Sequence, residues 1–345
     1  MSIADILLSI LWLALFIYAI FGGADFGAGM LELFAVGESG PRQEALIDES
    51  IGPVWESNHV WLIFLLVVFF TAFPPAFAAI NVVLFIPLLL AVIGIVLRGS
   101  SFVFKTHGII RRSRNVKILS RTFSVASAMT PFFLALTGAA VASGVIVIQN
   151  QSQIVTNTGS DWLTPFTLTV GAMALTLCVT ISAIYLTVEA TSRGETELAE
   201  AFRFRGLVAG ALTAVFGLLG LILSYSEAAF LWHGMLDKAI PVVIITMLVG
   251  IATAAALWFR RYVWARVLVV VLTAGLLLSW GVSQYPYIIP PDVTDANASS
   301  PLPTQQFLLV GIIIALIIVI PSLWFLFYVF KLKKIEPEVT QPTGE

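Results

Sequence analysis

The chain has 345 residues, of which 59% are hydrophobic and only 11% are charged. Soluble globular domains carry about 25% charged residues, so the composition excludes a soluble domain and predicts a polytopic membrane protein. The formal net charge of −2 gives no sign of a nucleic-acid-binding protein, and the single cysteine, Cys178, excludes a disulfide framework and a thiolate metal site.

Nine apolar stretches are each long enough to cross a bilayer, which takes about 20 helical residues. No Lys or Arg precedes Arg42, so the first stretch lacks the basic leading region of a cleavable signal peptide, and we expect it to be retained. We predict an all-α integral membrane protein with one membrane domain over residues 1–335 and a short polar tail at 336–345. The predicted helices are 3–23, 53–73, 77–97, 123–148, 164–188, 206–224, 239–259, 262–281 and 307–330.

The basic residues are segregated among the predicted loops. With nine helices, every one of the 18 Lys and Arg residues except Lys238 falls on the side of the C-terminus. Because cytoplasmic loops collect Lys and Arg, the sequence predicts an N-terminus outside and a C-terminus in the cytoplasm. The link 98–121 is predicted to be a basic, solvated cytoplasmic hairpin that touches anionic lipid headgroups.

The end of the first apolar stretch carries a carboxylate among small residues. Gly23 and Gly27 have the Gly-x-x-x-Gly spacing that lets another helix approach closely. Asp25 lies between them, about 33 Å along the helix from Ile3 at 1.5 Å per residue, and therefore near the cytoplasmic surface. An ionisable residue in such a position is interpreted as functional by default.

The second predicted helix begins with a polar cluster on the same side of the membrane. Glu56 and His59 are three residues apart and share a helical face, where a carboxylate and an imidazole can exchange protons near neutral pH. Alternatively, Glu56 only stabilises the positive end of the helix dipole. Asn58 points elsewhere and is a candidate for a contact between helices. Trp55 and Trp61 are interpreted as markers of the membrane interface.

Haem and metal ligands are scarce. A membrane-bound haem needs buried axial His or Met ligands, and the chain has only three histidines, with isolated methionines in the apolar runs. The sequence therefore predicts no haem and no metal bound by ligands of this chain. The residues considered are His59, His107, His233, Met129, Met173 and Met247.

A secondary transporter or permease is the alternative from another functional class. Such a protein usually has broken helices or polar groups around a site near the middle of the membrane. The predicted helices are mostly uninterrupted at their centres, which favours a different function.

Two motifs carry a family resemblance: Gly23–Leu31, which reads GADFGAGML, and Gly52–Trp61, which reads GPVWESNHVW. Together they resemble subunit II of cytochrome bd-type quinol oxidases, and the Glu-x-Asn-His-Val-Trp form resembles the cyanide-insensitive branch. The outer stretch YPYIIPP at 285–291, the number of spans and the total length are similar as well.

The resemblance implies two four-helix bundles plus one peripheral helix. It also implies an obligate heterodimer with a larger subunit I, which holds three haems and the quinol site of a complex that reduces dioxygen to water. Subunit II would supply a scaffold and part of a proton path from the cytoplasm. The sequence leaves open a structural quinone or lipid and a small single-span subunit.

Carried over residue by residue, the resemblance matches Glu56 to the family's carboxylate after Trp, and Asp25 to the second acid of the first-helix motif. The family often has another acid three residues before Asp25, where this chain has Gly22, so a path that depends on that acid is in question. The hypothesis is that Glu56 is the principal proton-loading group, assisted by His59 and Asp25. The alternative is a passive assembly scaffold in which these side chains only bond helices together.

Overall fold

The structure is a computed structural model that describes residues 2–51, 55–107, 114–149, 153–155 and 162–328. The start of the second predicted helix at 53–54, the end of the last one and the predicted tail at 336–345 lie outside the described residues.

Helices make up nearly all of the described chain. They are α1 (Ile3–Leu31), α2 (Gly40–Ile51), α3 (Trp55–Ala72), α4 (Pro74–Val83), α5 (Phe85–His107), α6 (Arg114–Ser143), α7 (Pro165–Ser192), α8 (Thr196–Glu227), α9 (Ala229–Gly234), α10 (Ile240–Trp258), α11 (Tyr262–Gln284), α12 (Asp295–Ala298) and α13 (Leu302–Phe327). Two short antiparallel pairs accompany them, β1 (Val147–Gln149) with β2 (Gln153–Val155) and β3 (Tyr287–Ile289) with β4 (Val293–Thr294).

Within the described ranges, eight helical segments are long and apolar enough to cross a membrane, and α3 with α4 makes a ninth if that bent pair is one span. The prediction of an all-α membrane protein with about nine spans is thereby confirmed. Helices α1, α3, α5 and α6 pack as one group and α7, α8, α10 and α11 as a second, joined where α1 and α6 meet α7. Helix α13 lies at the edge against α3 and α1.

The third span differs from the prediction of 77–97. The chain bends by 116° between α3 and α4, and the spanning helix α5 begins only at Phe85. Pro74 and Pro75 are the first residues of α4, where proline's fixed φ and missing N–H are tolerated. The predicted second helix ends next to these prolines, but the apolar pattern runs unchanged from α4 into α5, so hydropathy alone did not mark the break between those two helices.

The predicted basic hairpin at 98–121 is also wrong. Helix α5 continues to His107, and α6 is described from Arg114 onwards, so both ends of the predicted hairpin are helical. Arg98 is fully buried rather than solvated. The cause is a buried carboxylate on α1, described below, which provides the counter-charge that an arginine inside a helix bundle requires.

Ion pairs gather where α1 and α5 end and where α6 and α8 begin, and we call this the basic end. Helix α2, which the apolar pattern did not predict, is held there by Arg42, which bonds Glu195 and Glu197, and by Arg193, which bonds Glu49. Helix α8 begins ten residues before the predicted 206. At the opposite end a π-helical segment, Met235–Ala239, joins α9 to α10.

Candidate functional site

Three polar side chains form a stripe along one face of α1. Tyr18, Asp25 and Glu32 follow one another at intervals of seven residues, which is close to two helical turns, so they share one face. Each interval spans about 10.5 Å, and all three residues are buried. The stripe therefore reaches from the basic end well into the first helix group.

The inner layer of this stripe is centred on Asp25. Arg98 on α5 donates through Nη2 to Asp25 Oδ1 at 2.6 Å, and through Nε to Ser127 Oγ on α6 at 3.1 Å. The Arg98 and Asp25 side chains are only 1% and 2% exposed. The rings of Phe26 and Phe123 lie 5.1 and 4.9 Å from the guanidinium carbon. An acid and a base are thus held together inside an aromatic enclosure.

The outer layer is centred on Glu32, at the basic end. Lys105 on α5 donates to Glu32 Oε1 at 2.8 Å and to Asp48 Oδ1 on α2 at 2.9 Å. Ser120 on α6 donates a short hydrogen bond to the same Glu32 oxygen. The Glu32 side chain is 1% exposed, that of Lys105 11% and that of Asp48 38%. This layer therefore leads from solvent to a buried carboxylate.

The two layers repeat one arrangement, in which α1 supplies an acid, α5 a base and α6 a serine. Their members are seven residues apart on every helix: Asp25 and Glu32, Arg98 and Lys105, and Ser127 and Ser120. Phe123 lies between the two serines on α6, and its ring centroid is 4.9 Å from Arg98 Cζ and 5.8 Å from Lys105 Nζ. The apolar ring therefore separates the two polar layers.

Helix α3 adds Asn58 and His59 to the inner layer. Their contacts on α1 are to Phe21 and Phe26, four residues before and one residue after Asp25. Asn58 Nδ2 donates to the carbonyl oxygen of Phe21 on α1 at 3.4 Å, so it does bridge two helices. The imidazole of His59 meets the Phe26 ring edge-on, with centroids 6.2 Å apart. The structure thus brings together Asp25, Asn58 and His59 of the predicted site.

Glu56 and Trp55 belong to the first turn of α3, but their side chains lie outside the described part of the structure. Glu56 precedes His59 by three residues on the same helix, so the two share a face. A contact between Glu56 and Asp25 stays a prediction.

The predicted glycine contacts lie on α7. A Cβ at Gly27 would be 2.0 Å from the carbonyl oxygen of Cys178, whereas a Cβ at Gly23 would be 3.3 Å from Ile181 Cδ1. Glycine at position 27 is therefore what lets α1 approach the α7 backbone. Trp61, further along α3, lines a groove of about 40 Å³ against α13.

The chain matches a known protein family over almost its whole length. A family model described as cytochrome bd terminal oxidase subunit II matches residues 3–330. The chain belongs to this family. It is therefore a multi-pass membrane subunit of an oxidoreductase, as predicted, and the subunit II family implies a partner subunit I. A permease acting alone does not fit this membership.

Individual members of the family are similar over most of the chain. The putative cytochrome bd menaquinol oxidase subunit II of Bacillus subtilis (strain 168) is 23% identical over 340 residues, covering 96% of each chain. Cytochrome bd-I ubiquinol oxidase subunit 2 of Escherichia coli (strain K12) is 24% identical over 315 residues, covering 82% of this chain and 80% of that protein.

A solved structure shares the fold. A chain in the structure of bd oxidase from Geobacillus thermodenitrificans matches with a TM-score of 0.75 and 23% identity, covering 97% of this chain and 100% of that one.

Haem is the cofactor that a bd oxidase implies, and the described histidines of this subunit II do not fit an axial pair. His59 meets the ring of Phe26 inside the first helix group, whereas His233 is exposed on α9. In the described ranges, no three His, Cys, Asp or Glu side chains form a group that could hold a metal ion. We therefore assign no chemical step to a haem within this chain.

Sequence analysis missed the basic and hydroxyl members of both layers. Arg98 and Lys105 were placed in a loop, and Glu32 was not among the predicted site residues. The seven-residue interval was visible as Asp25 to Glu32 and Arg98 to Lys105. It is informative only once α5 is known to continue past Arg98, because a loop has no helical face.

Proposed function

We propose that this chain serves two roles as subunit II of a bd-type oxidase that oxidises quinol and reduces dioxygen to water. It is the scaffold for the haem-bearing subunit I, and it provides part of the route by which protons are taken up from the cytoplasm. The names of the relatives, menaquinol and ubiquinol oxidase subunits, support the quinol substrate.

The need for a route follows from the reaction. Reduction of one dioxygen to two waters consumes four electrons and four protons, and a bundle of apolar helices has no group that can carry protons. Side chains that titrate or donate hydrogen bonds, linked by water, supply such a path. The two polar layers of α1, α5 and α6 are the observation that carries this proposal.

In this proposal Glu56 loads the proton and His59 assists. Both belong to one face of α3, and His59 meets the ring of Phe26, the residue after Asp25. Arg98 donates a hydrogen bond to Oδ1 of Asp25. The other oxygen, Oδ2, is therefore the one available to the next group along the proton route. Arg98 thereby fixes the orientation of the Asp25 carboxylate.

Orientation is part of the proposal. The basic end carries the Arg and Lys residues of α5 and α8, and cytoplasmic ends of membrane proteins collect such residues. We place this end in the cytoplasm, with the N-terminus outside and the C-terminus inside. Asp48, which is 38% exposed, then lies at the cytoplasmic opening of the outer layer.

The partner is proposed to hold all three haems and the quinol site and to form an obligate heterodimer with this chain. The scarcity of haem ligands in the sequence supports this assignment. A structural quinone or lipid and a small single-span subunit are further components that the proposal accommodates.

A passive scaffold is the second candidate, and a specific observation favours it. Each polar layer joins the same three helices, so the ion pairs could serve cohesion alone. This role predicts that removing charge changes the stability of the complex, whereas a proton route predicts that it changes turnover in a complex that still assembles.

The substitution Glu56→Gln in the purified complex separates these roles. We expect oxygen consumption to slow, with haem content and subunit stoichiometry unchanged. Glu38→Gln is the matched control, because Glu38 is exposed at the same end, and it should turn over normally. Normal turnover of the Glu56→Gln complex would contradict the proton role, and loss of assembly would favour the scaffold role.

A further inference from the structure

The side chain of Tyr18 lies along α1 in the direction of Asp25. A Cβ built on Gly22 would be 3.0 Å from Tyr18 Cε2 and 3.4 Å from its Cζ. The ring therefore covers the next turn of its own helix, which is possible because residue 22 has no side chain. Gly22 is about 6 Å along the axis from Tyr18 and about 4.5 Å before Asp25, so the phenol is directed towards the inner layer.

Three polar atoms around this point lack hydrogen bonds. Tyr18 Oη, Asp25 Oδ2 and Arg98 Nη1 are all buried and make none with the described part of the chain. Tyr18 and Asp25 lie seven residues apart on one face of α1, and Arg98 Nη2 lies 2.6 Å from Asp25 Oδ1. A buried polar atom left unpaired is costly, and ordered water is the usual partner for such atoms.

We propose that Tyr18 Oη, Asp25 Oδ2 and Arg98 Nη1 bind ordered water, and that the Tyr18 hydroxyl relays protons from Asp25 towards the middle of the membrane. The inference rests on the proton role proposed above and deepens it by naming the next group along the route. The ligand is water, held between one anion, one cation and one hydroxyl that can both donate and accept.

The relay leaves every group as it began. A protonated water on the Asp25 side gives a proton to Tyr18 Oη, while the original hydroxyl proton passes to a water on the far side. One O–H bond forms and one breaks on Tyr18. The phenol stays neutral in the net step, so no phenolate is left in the apolar interior, where an unpaired charge is costly.

Arg98 and Asp25 supply the electrostatic setting for this water. Arg98 Nη1 can donate but not accept, so it fixes the water's oxygen towards itself. The water's hydrogens are then free to point at Asp25 Oδ2 and at the phenol oxygen. The site therefore orients its water in the direction in which the relay needs it.

Substitution Tyr18→Phe tests the inference in the assembled complex. It removes only the hydroxyl and keeps the ring that covers Gly22. We expect oxygen consumption to fall roughly a hundredfold or more, as is typical for loss of a positioned proton-transfer group, with unchanged haem spectra. A larger solvent deuterium isotope effect should accompany this loss. Tyr185→Phe on α7 is the control and should behave as the unmodified complex.

A rescue variant separates proton transfer from packing. The double substitution Tyr18→Ala with Gly22→Asp removes the ring that a side chain at position 22 would strike and supplies a carboxyl one turn from Asp25. We expect it to regain part of the turnover that Tyr18→Ala loses. In parallel, a cryo-EM map of the complex should show water density within hydrogen-bond distance of the three atoms.

The outcomes distinguish this inference from the proposal beneath it. If Glu56→Gln slows turnover and Tyr18→Phe does not, the Tyr18 relay is overturned and the proton role stands. If neither variant slows turnover, both fail. If Tyr18→Phe loses haem or its partner subunit, Tyr18 is a packing residue and the relay is also overturned.

Discussion

Asp25 and Arg98 form an ion pair that is enclosed on all sides, with 2.6 Å between Oδ1 and Nη2 and both side chains at most 2% exposed. Bringing two charges out of water costs several kcal/mol per ion, which only good geometry and further hydrogen bonds repay. Ser127 supplies one such bond to Arg98, and the backbone oxygen of Asp25 lies 3.4 Å from Nη2. Together with Ser127, the pair therefore connects α1, α5 and α6 at the inner layer.

Removing one member of this pair should be far more harmful than removing both. In Asp25→Asn, Arg98 keeps its charge without a counterion, and we expect the complex to lose about 3–5 kcal/mol of stability. The measurement is thermal or detergent-induced loss of the haem spectrum in the purified complex. An Asp25→Asn variant as stable as the parent would show that the pair is not a buried charge pair.

The double variant Asp25→Asn with Arg98→Gln is the matched control. It removes both charges but keeps side chains that can hydrogen-bond to each other and to Ser127. We expect it to recover much of the lost stability while turning over slowly, because the carboxylate is absent. Restored stability together with normal turnover would favour the passive scaffold over the proton route.

The outer layer should tolerate loss of its base better than the inner layer. Lys105 is 11% exposed and touches Asp48, which is 38% exposed, so water can solvate Asp48 when Lys105 is lost, while buried Glu32 keeps its hydrogen bond from Ser120. We expect Arg98→Met to cost about 3–5 kcal/mol, as for a fully buried pair that loses one partner, and Lys105→Met to cost less. The two variants are compared by the same thermal assay, and an equal or reversed order would contradict the layered burial.

Much of this architecture could be predicted from hydropathy and charge. Apolar length alone indicated the number of spans, and an acid among glycines singled out Asp25. Arg98 was not recognised, because an arginine at the end of an apolar run looks the same whether a loop or another helical turn follows. The counter-charge that keeps it helical is Asp25, 73 residues away in the chain, and no local pattern reports that distance.

The break between α4 and α5 escaped prediction for a related reason. Helices α4 and α5 are both apolar, so the hydrophobic pattern allowed one helix at 77–97. The bend at Phe73, where the predicted second helix does end, depends on Pro74 and Pro75 starting a new helix and on a distant contact, in which Ser300 N donates to the carbonyl oxygen of Ala72 at 2.8 Å. Contacts between segments far apart in sequence decide such a bend.

The two glycines of α1 should respond differently to an added methyl group. Gly27→Ala would place Cβ 2.0 Å from the carbonyl oxygen of Cys178, a backbone atom that cannot rotate away. Helix α1 must then separate from α7, and we expect little assembled complex. Gly23→Ala meets only the flexible end of Ile181 at 3.3 Å, so near-normal yield is expected. Both are measured as haem-loaded complex per unit of membrane protein.

At the end opposite the basic end, Asp295 offers a test of pH dependence. It is buried at the start of α12, and burial, together with a hydrogen bond to Asp5, raises the pKa of its carboxyl above 3.8. Tyr285 Oη also donates to Asp5 Oδ1 at 3.2 Å, and Lys238 Nζ bonds the backbone oxygen of Tyr285. The segment from Tyr285 to Asp295 is thus attached to α1 through these two acids.

The sign follows from proton binding. The folded state holds the Asp295 proton more tightly than the unfolded state, so the stabilisation is complete below the ordinary aspartate pKa and declines as pH rises through the raised one. In Asp295→Asn the side chain stays uncharged, and we expect hydrogen-exchange protection of residues 285–298 to remain constant across that window and to exceed that of the parent at neutral pH. Asp292→Asn, at an exposed position in the same segment, should retain the parent's dependence. If hydrogen-exchange protection in the Asp295→Asn variant changed with pH as it does in the parent, another group would control this attachment.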